Sequence, residues 1–305
     1  MRTPQVPVPL MRTAVRVLVR PVLHPRFPVR FQRRWLELVT AATSLPADVE
    51  VRPGELGGRP AEVLVPRSGM PGTTVLYLHG GGFTVGSLAT HRALAAHLAA
   101  ASGATVHLLD YRLAPEHAFP AAVDDAVAAY RELVTRGADP QHIALAGDSA
   151  GGWLALTAAL RLRDDGDRLP AVLGLVSPWL DLSGASWPDR TDPMLQPAWM
   201  HRCAAAFADG ADVTAPPFTP LTADLSGLPP MVVRVGSEEI LLPDAVHLAR
   251  TARAAGVPVD LRRLDGLWHV AHASAGQVAE STAAVDDLGA ALAGRLNAPV
   301  DRATG

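Results

Sequence analysis

Short apolar runs recur along the chain, and between them lie longer stretches whose apolar positions fall three and four residues apart. The first pattern reads as buried strands and the second as amphipathic helices. Strands are expected near Val49 to Arg52, Ala61 to Val65, Thr74 to His79, Ala104 to Leu109, Ile143 to Gly147, Ala171 to Val176, Met231 to Val235 and Val259 to Leu264. Helices are expected over Ser87 to Ala101, Ala118 to Thr135, Gly151 to Arg163, Asp244 to Ala255 and Ala275 to Arg295. Such alternation predicts an α/β fold: a mostly parallel, eight-stranded sheet with helices on both faces. No internal repeat or low-complexity tract interrupts it.

One stretch does break the alternation. From Trp179 to Leu228, prolines and polar turns surround a short helical segment, Trp199 to Phe207. Segments inserted after strand ends lie over the carboxyl edge of a sheet, so this one is expected to act as a lid. Near the N-terminus, Met11 to Pro28 alternates apolar residues with Arg12, Arg16, Arg20 and Arg26. Its uncharged stretches are too short for a signal-peptide core or a membrane span. It reads as an amphipathic helix, either packed on the domain by Val15, Leu18 and Val22 or lying on a membrane surface. The resulting division is an N-terminal helical segment over 1–45 that joins the cap, a core over 46–178 and 229–298, a cap insertion over 179–228 and a tail over 299–305.

Composition narrows the partners. With 305 residues, 49% of them hydrophobic, the chain is long enough to bury a sizeable core. A net charge of −3 leaves no basic surplus for nucleic acid, and all 27 basic residues are arginine, which reads as compositional bias. Cys203 is the single cysteine, so no intramolecular disulfide forms; a cytoplasmic location is the expectation.

Candidate chemistry begins at Gly147-Asp148-Ser149-Ala150-Gly151-Gly152, set between an apolar run and a helical pattern. A serine flanked by glycines at a strand-to-helix corner suits a strained turn that projects Oγ outward, because the missing side chains at Gly147 and Gly151 let strand and helix approach. About seventy residues upstream, His79-Gly80-Gly81-Gly82 follows a strand, where the other half of an oxyanion hole is expected. The glycine clusters do not fit a dinucleotide site, since no Gly-x-Gly-x-x-Gly follows the first strand.

These segments, with Asp110-Tyr111-Arg112-Leu113-Ala114-Pro115-Glu116-His117 and Asp265-Gly266-Leu267-Trp268-His269, resemble the hormone-sensitive-lipase-like (family IV) esterases of the α/β-hydrolase fold. A weaker similarity, over Gly236 to Leu242, is to monoterpene lactone hydrolases. The resemblance implies a serine carboxylic ester hydrolase of short acyl esters, working through an acyl-enzyme without metal or organic cofactor. A lactone hydrolase or amidase on the same residues is the alternative. A non-catalytic small-ligand receptor, like the plant gibberellin receptors that lack the catalytic histidine, is a third, which the joint presence of Ser149 and His269 argues against. The partner implied is a small ester, with no nucleic acid and no stable membrane insertion; a homodimer through an edge strand stays open.

Residue by residue, the resemblance assigns Ser149 as nucleophile, His269 as base, and the backbone N–H groups of Gly81, Gly82 and Ala150 as oxyanion donors. Among the eleven histidines, His269 follows the last strand and precedes the final helix, as the nucleophile-acid-histidine order requires. His272 lies three residues on, but no further ligands are spaced for a metal. The acid departs from the family pattern. An aspartate is usual after the seventh strand, whereas here Glu239 stands thirty residues before the histidine. Asp244, at an apparent helix start, and Glu238 are the alternatives. Val270 is a second departure, where the family often has glycine. His79 and Asp148 read as loop-stabilising, Arg112 and Glu116 as structural, and Trp179, Trp187, Trp199 and Phe207 as either pocket wall or cap core.

Overall fold

The computed structural model describes residues 5–297, so the expected tail over 299–305 lies outside the described residues. A single eight-stranded sheet organises the chain, in the order β1-β2-β4-β3-β5-β6-β7-β8. The strands are β1 Val49–Leu56, β2 Arg59–Pro66, β3 Thr74–Leu78, β4 Thr105–Leu109, β5 Ile143–Asp148, β6 Val172–Val176, β7 Met231–Gly236 and β8 Val259–Leu264. Strands β1 and β2 form an antiparallel hairpin, β2 pairs antiparallel with β4, and every other pairing is parallel. The two-residue turn of the hairpin, Gly57-Gly58, has φ of 62° and 70°, the left-handed pair that a tight turn between twisted strands requires.

The inner strands read as unbroken apolar runs because both of their faces are buried. Val75, Tyr77, Ala144, Ala146, Val172 and Val176 point to one core, while Leu76, Leu78, Leu145, Leu173 and Leu175 point to the other. That division is the two-residue period of a strand. Helices α3 (Leu88–Ser102) and α8 (Ala279–Leu296) cover the first face. The second is covered by α4 (Ala121–Thr135), α5 (Ala150–Asp164) and α7 (Leu242–Ala254).

Three elements lie outside this plan. Between β6 and β7, the predicted insertion carries α6, Pro197–Ala208. At the N-terminus, the expected amphipathic helix is α1 (Val8–Ala14), which continues as a π-helical turn over Val15–Val19 and stops before Pro21. Proline there cannot extend the ladder. The chain then forms α2, Val29–Thr40, inside the helical segment expected over 1–45 but without bounds of its own there; its apolar residues share one side, and only Gln32 is buried. Of the side expected to pack inward, Val22 is buried but Leu18 is half exposed.

Parallel strands place their carboxyl ends on one edge, and there the chain reverses direction across the sheet between β3 and β5. Ligands of open α/β sheets bind at such a reversal. The segments following β3, β5, β6, β7 and β8 carry His79 to Gly82, Ser149, Ser177, Glu239 and His269 respectively. Adjacent strands thus bring residues far apart in sequence to one place.

Candidate active site

Ser149 occupies the turn from β5 to α5 with φ 52° and ψ −118°, a conformation a residue with a Cβ adopts only under strain. Its amide donates to the Val176 carbonyl at 2.8 Å, and its carbonyl accepts from Gly152, Trp153 and Trp179, so the turn is fixed on both sides. A Cβ on Gly151 would collide with the Leu78 carbonyl, and one on Gly147 with the Gly151 carbonyl. The absent side chains therefore do what the motif implies: they let helix and strands meet beneath the serine.

Opposite lies the loop after β3. Gly81 has φ 119°, and a Cβ there would strike the Val85 carbonyl, whose own amide closes the turn onto Gly81 O at 2.9 Å. Among the described residues, the backbone N–H groups of Gly81, Gly82 and Ala150 have no acceptor in the chain. All of Gly81, Gly82 and Ser149 line one cavity.

His269 is buried in the loop after β8 and lines the same cavity. Its Nδ1 meets Glu239 Oε2 at 2.8 Å. The other carboxylate oxygen, Oε1, accepts from Ser177 Oγ at 2.7 Å and from the Gly236 amide at 2.5 Å. Glu239 is wholly buried, and each of its oxygens is occupied. Burial opposes charging of the imidazole, but the hydrogen bond and charge of Glu239 outweigh it and raise the pKa of His269 above the ordinary value. With Nδ1 engaged, Nε2 is the ring nitrogen left to face a reactant.

The two other acids considered for this position stand elsewhere. Asp244 is buried at the start of α7, where Oδ2 accepts from the amides of Leu180 and Asp181 at 2.8 and 2.9 Å and Oδ1 from Ser186 Oγ at 2.6 Å. Burial pushes its pKa up to about 6 against those donors. It fixes the first turn of the insertion. Glu238 makes no hydrogen bond through its side chain among the described residues, and its amide donates to Leu267 O at 3.0 Å.

His79 bonds through Nδ1 with the Gly80 carbonyl at 2.8 Å and stacks on Tyr111 with ring centroids 4.3 Å apart. Burial, with His91 nearby, drives its pKa down to about 3 and keeps it neutral. Asp148 ties the two loops together, Oδ1 accepting from Tyr77 Oη at 2.9 Å and the Gly80 amide at 3.0 Å, while Oδ2 lies 3.4 Å from His91 Nε2. His272 is buried and, among the described residues, both its ring nitrogens lack a partner, burial lowering its pKa to about 4. Among the described residues, no group of three or more His, Cys, Asp or Glu is arranged to hold a metal. Arg112 pairs with Asp125 at 2.7 Å and Glu116 with Arg33 at 2.7 Å, so neither faces the cavity. Val270 has φ 49°, a left-handed conformation unfavourable for a β-branched residue, which gives a physical reason for glycine there.

Motif reasoning passed over two residues beside the catalytic candidates. Ser177 stands directly after β6 with φ 45°, and besides donating to Glu239 it accepts from the Val270 amide at 3.3 Å. A polar residue at the carboxyl end of a central strand was the available signal. Asp192, from the insertion, is buried; Oδ2 accepts from the Ile240 amide at 2.9 Å and Oδ1 from Met194 and Leu195. Its carboxyl pKa is raised by burial, partly offset by His269 and these donors. Nothing in the sequence marks it out.

The cavity, of about 220 Å³, is roofed by Met11, Val15, Leu18, Val19, Leu36 and Trp199. Of the four aromatic residues expected as wall or cap core, only Trp199 lines it; Trp179 and Phe207 pack with Phe83, and Trp187 against Trp179.

Comparison with known proteins matches residues 75–273 to the family model described as the alpha/beta hydrolase fold. The chain is 44% identical to an acetyl-hydrolase of Streptomyces hygroscopicus over 72% of its length and 75% of that protein's. It is 37% identical to an esterase of Acinetobacter venetianus, over 72% of this chain and 74% of that one. Among solved structures, it superposes with a TM-score of 0.89 on an esterase from the bacterial hormone-sensitive lipase family, at 38% identity, covering 96% of this chain and 100% of the other. A hormone-sensitive lipase from a metagenome library gives 0.90 at 34% identity, with 96% and 100% covered. None of these relatives is named for lactones.

Proposed function

The chain belongs to the α/β-hydrolase fold family, within the hormone-sensitive-lipase-like group of esterases, and from that premise we propose that it hydrolyses small carboxylic esters through a covalent acyl-enzyme on Ser149. The observation that carries this reading is the buried Glu239–His269 pair facing the same cavity as the strained Ser149. Serine alone is a poor nucleophile at neutral pH and needs a base beside it.

In the proposed cycle, Ser149 Oγ attacks the ester carbonyl carbon while its proton passes to His269 Nε2. The carbonyl oxygen becomes an oxyanion and takes hydrogen bonds from the open N–H groups of Gly81, Gly82 and Ala150; one such donor is typically worth about a hundredfold or more in turnover. As the tetrahedral adduct collapses, the C–O bond breaks and His269 returns its proton to the leaving alcohol. Water then attacks the acyl-serine, giving its proton to the same imidazole; the bond from the acyl carbon to Ser149 Oγ breaks, Oγ takes the proton back from His269, and the carboxylic acid departs. Glu239 holds the ring through Nδ1 and favours the imidazolium that forms in each half.

The cavity supports small acyl groups. Its volume of about 220 Å³ lies below the roughly 300–1,000 Å³ of sites that enclose drug-sized ligands, and its roof is aliphatic and aromatic. A chromogenic ester series from about two to about sixteen acyl carbons tests the reading, run beside Ser149→Ala. Turnover peaking at short chains and lost in the variant is the expected result. Turnover that survives Ser149→Ala, or none on any ester, overturns it.

A further inference from the structure

The well-exposed large apolar side chains of this molecule are concentrated in one place. Among the described residues, Leu10, Val17, Leu18, Phe27, Phe31 and Leu38 all lie in α1, α2 and the turns joining them, with only Leu45 and Val246 outside. Leu10, Val17 and Leu38 are each more than 60% exposed, at 61%, 62% and 67%. Phe27, Phe31, Arg34 and Leu38 recur at spacings of three and four, which places them on one face of α2 and its approach. Phe27, Phe31 and Trp35 stack in a strip with ring centroids 5.3 and 6.2 Å apart. Trp35 Nε1 donates to the Leu18 carbonyl at 2.7 Å and joins that strip to the first helix. Single exposed apolar residues are ordinary, but a continuous strip marks contact with another surface.

Charge identifies that surface. Residues 5–45 hold seven arginines and one acid, Glu37, within a chain of net charge −3. Arg12, Arg20 and Arg33 are committed to internal carbonyls and to Glu116, and Glu37 accepts from Ser87 Oγ. Arg16, Arg26, Arg30 and Arg34 are exposed and make no ion pair or side-chain hydrogen bond among the described residues. We propose that this face is an interfacial docking surface for an anionic lipid layer: α1 and α2 lie flat among the headgroups, aromatic and aliphatic side chains directed to the acyl region and the unpaired guanidiniums to phosphates. No helix among the described residues is long and apolar enough to cross a membrane, and docking of this kind needs none.

Two further points favour a lipid layer. Leu18 is 46% exposed on the outer face and also lines the cavity, so apolar surface leads from the docking face toward Ser149. A second copy of the chain seated symmetrically on the patch would bring four more unpaired arginines to a face that already holds four, a like-charge arrangement that opposes association.

Vesicle flotation tests the proposal directly, comparing neutral phosphatidylcholine with vesicles containing about one third phosphatidylglycerol. The wild-type chain is expected to float with the anionic vesicles only, and to be released when salt rises from about 0.1 M to about 0.5 M. The triple variant R26E/R30E/R34E and the double variant F27S/F31S are each expected to lower partitioning at least about tenfold while keeping the wild-type circular dichroism and melting curve. No flotation of the wild type with anionic vesicles overturns the proposal, as does equal flotation with neutral ones or undiminished flotation of both variants. A wild-type dimer that F27S/F31S converts to monomer overturns it too, by giving the face to a second copy.

Discussion

The floor of the cavity and its roof are built from different kinds of bond. The floor is backbone: five segments at one edge of the parallel strands, with the Ser149 amide donating to the Val176 carbonyl and its own carbonyl accepting from three donors. The roof is tied down by side chains reaching backbone carbonyls. Gln32 Nε2 donates to Val22 O and His24 O at 2.8 and 3.0 Å while its Oε1 accepts from Trp199 Nε1 at 3.2 Å. Arg20 donates to Asp192 O at 3.0 Å, and Arg202 to Pro25 O and Phe27 O at 2.6 and 2.9 Å. A sheet ladder fails only with the domain, whereas these links break singly. In the proposed cycle, chemistry belongs to the floor and substrate fit to a roof that one substitution can loosen.

Removal of the proposed nucleophile should break the floor most severely. Ser149→Ala is expected to lower kcat by about a thousandfold or more at unchanged thermal stability, measured by ester turnover and calorimetry. Glu239→Gln should follow, lowering kcat by about 10²- to 10⁴-fold, because an amide neither fixes the imidazole tautomer nor stabilises the imidazolium. Asp244→Asn should instead cost about 1–3 kcal/mol of stability through its three donors, with kcat changed only a few-fold; equal losses of turnover in the two variants would dissolve the distinction between them.

The pH profile sharpens the same contrast. His269 acts as a base only when neutral, and Glu239 raises its pKa, so kcat/KM should fall as pH drops through a value above that of ordinary imidazole. Residual activity of Glu239→Gln should show that limb moved toward lower pH. Ser177→Ala, which removes one donor from Glu239 Oε1, is expected to reduce kcat about tenfold with little change in KM. On the roof, Gln32→Leu should do the reverse, raising KM several-fold with kcat nearly intact and costing about 1–3 kcal/mol of stability. Separate kcat and KM values for these two variants show whether floor and roof are independent.

The same difference explains what was legible in the sequence. The inner strands were readable because, buried on both faces, they are continuous apolar runs; the edge strands β1 and β8 were readable only from shorter apolar stretches, and Ser149 and the glycines around it because close backbone approach admits few other residues. The segment carrying Glu239 was legible from its distance to His269, although choosing among Glu238, Glu239 and Asp244 required seeing which carboxylate meets the imidazole and which holds the start of the insertion. The roof was not. Helix α2 carries its apolar residues on one side, but that side meets the cavity through Leu36 and Val39 and stays exposed at Phe31 and Leu38, so the pattern does not say what it packs against, and the bonds of Gln32 with Trp199 and of Arg20 with the Asp192 carbonyl join segments over a hundred residues apart. Ser177 lay between these cases, recognisable by its place after a strand but not by any motif.

The central claim is that Ser149 is a nucleophile activated by His269 and Glu239, and active-site labelling tests it most directly. Wild type and Glu239→Gln would be exposed to a fluorophosphonate and the adduct located by peptide mass spectrometry as labelling rates are followed. One adduct, on Ser149, forming at least about a hundredfold more slowly in Glu239→Gln, is the predicted result. An adduct on another residue, or a rate on Ser149 indifferent to Glu239, would contradict the account.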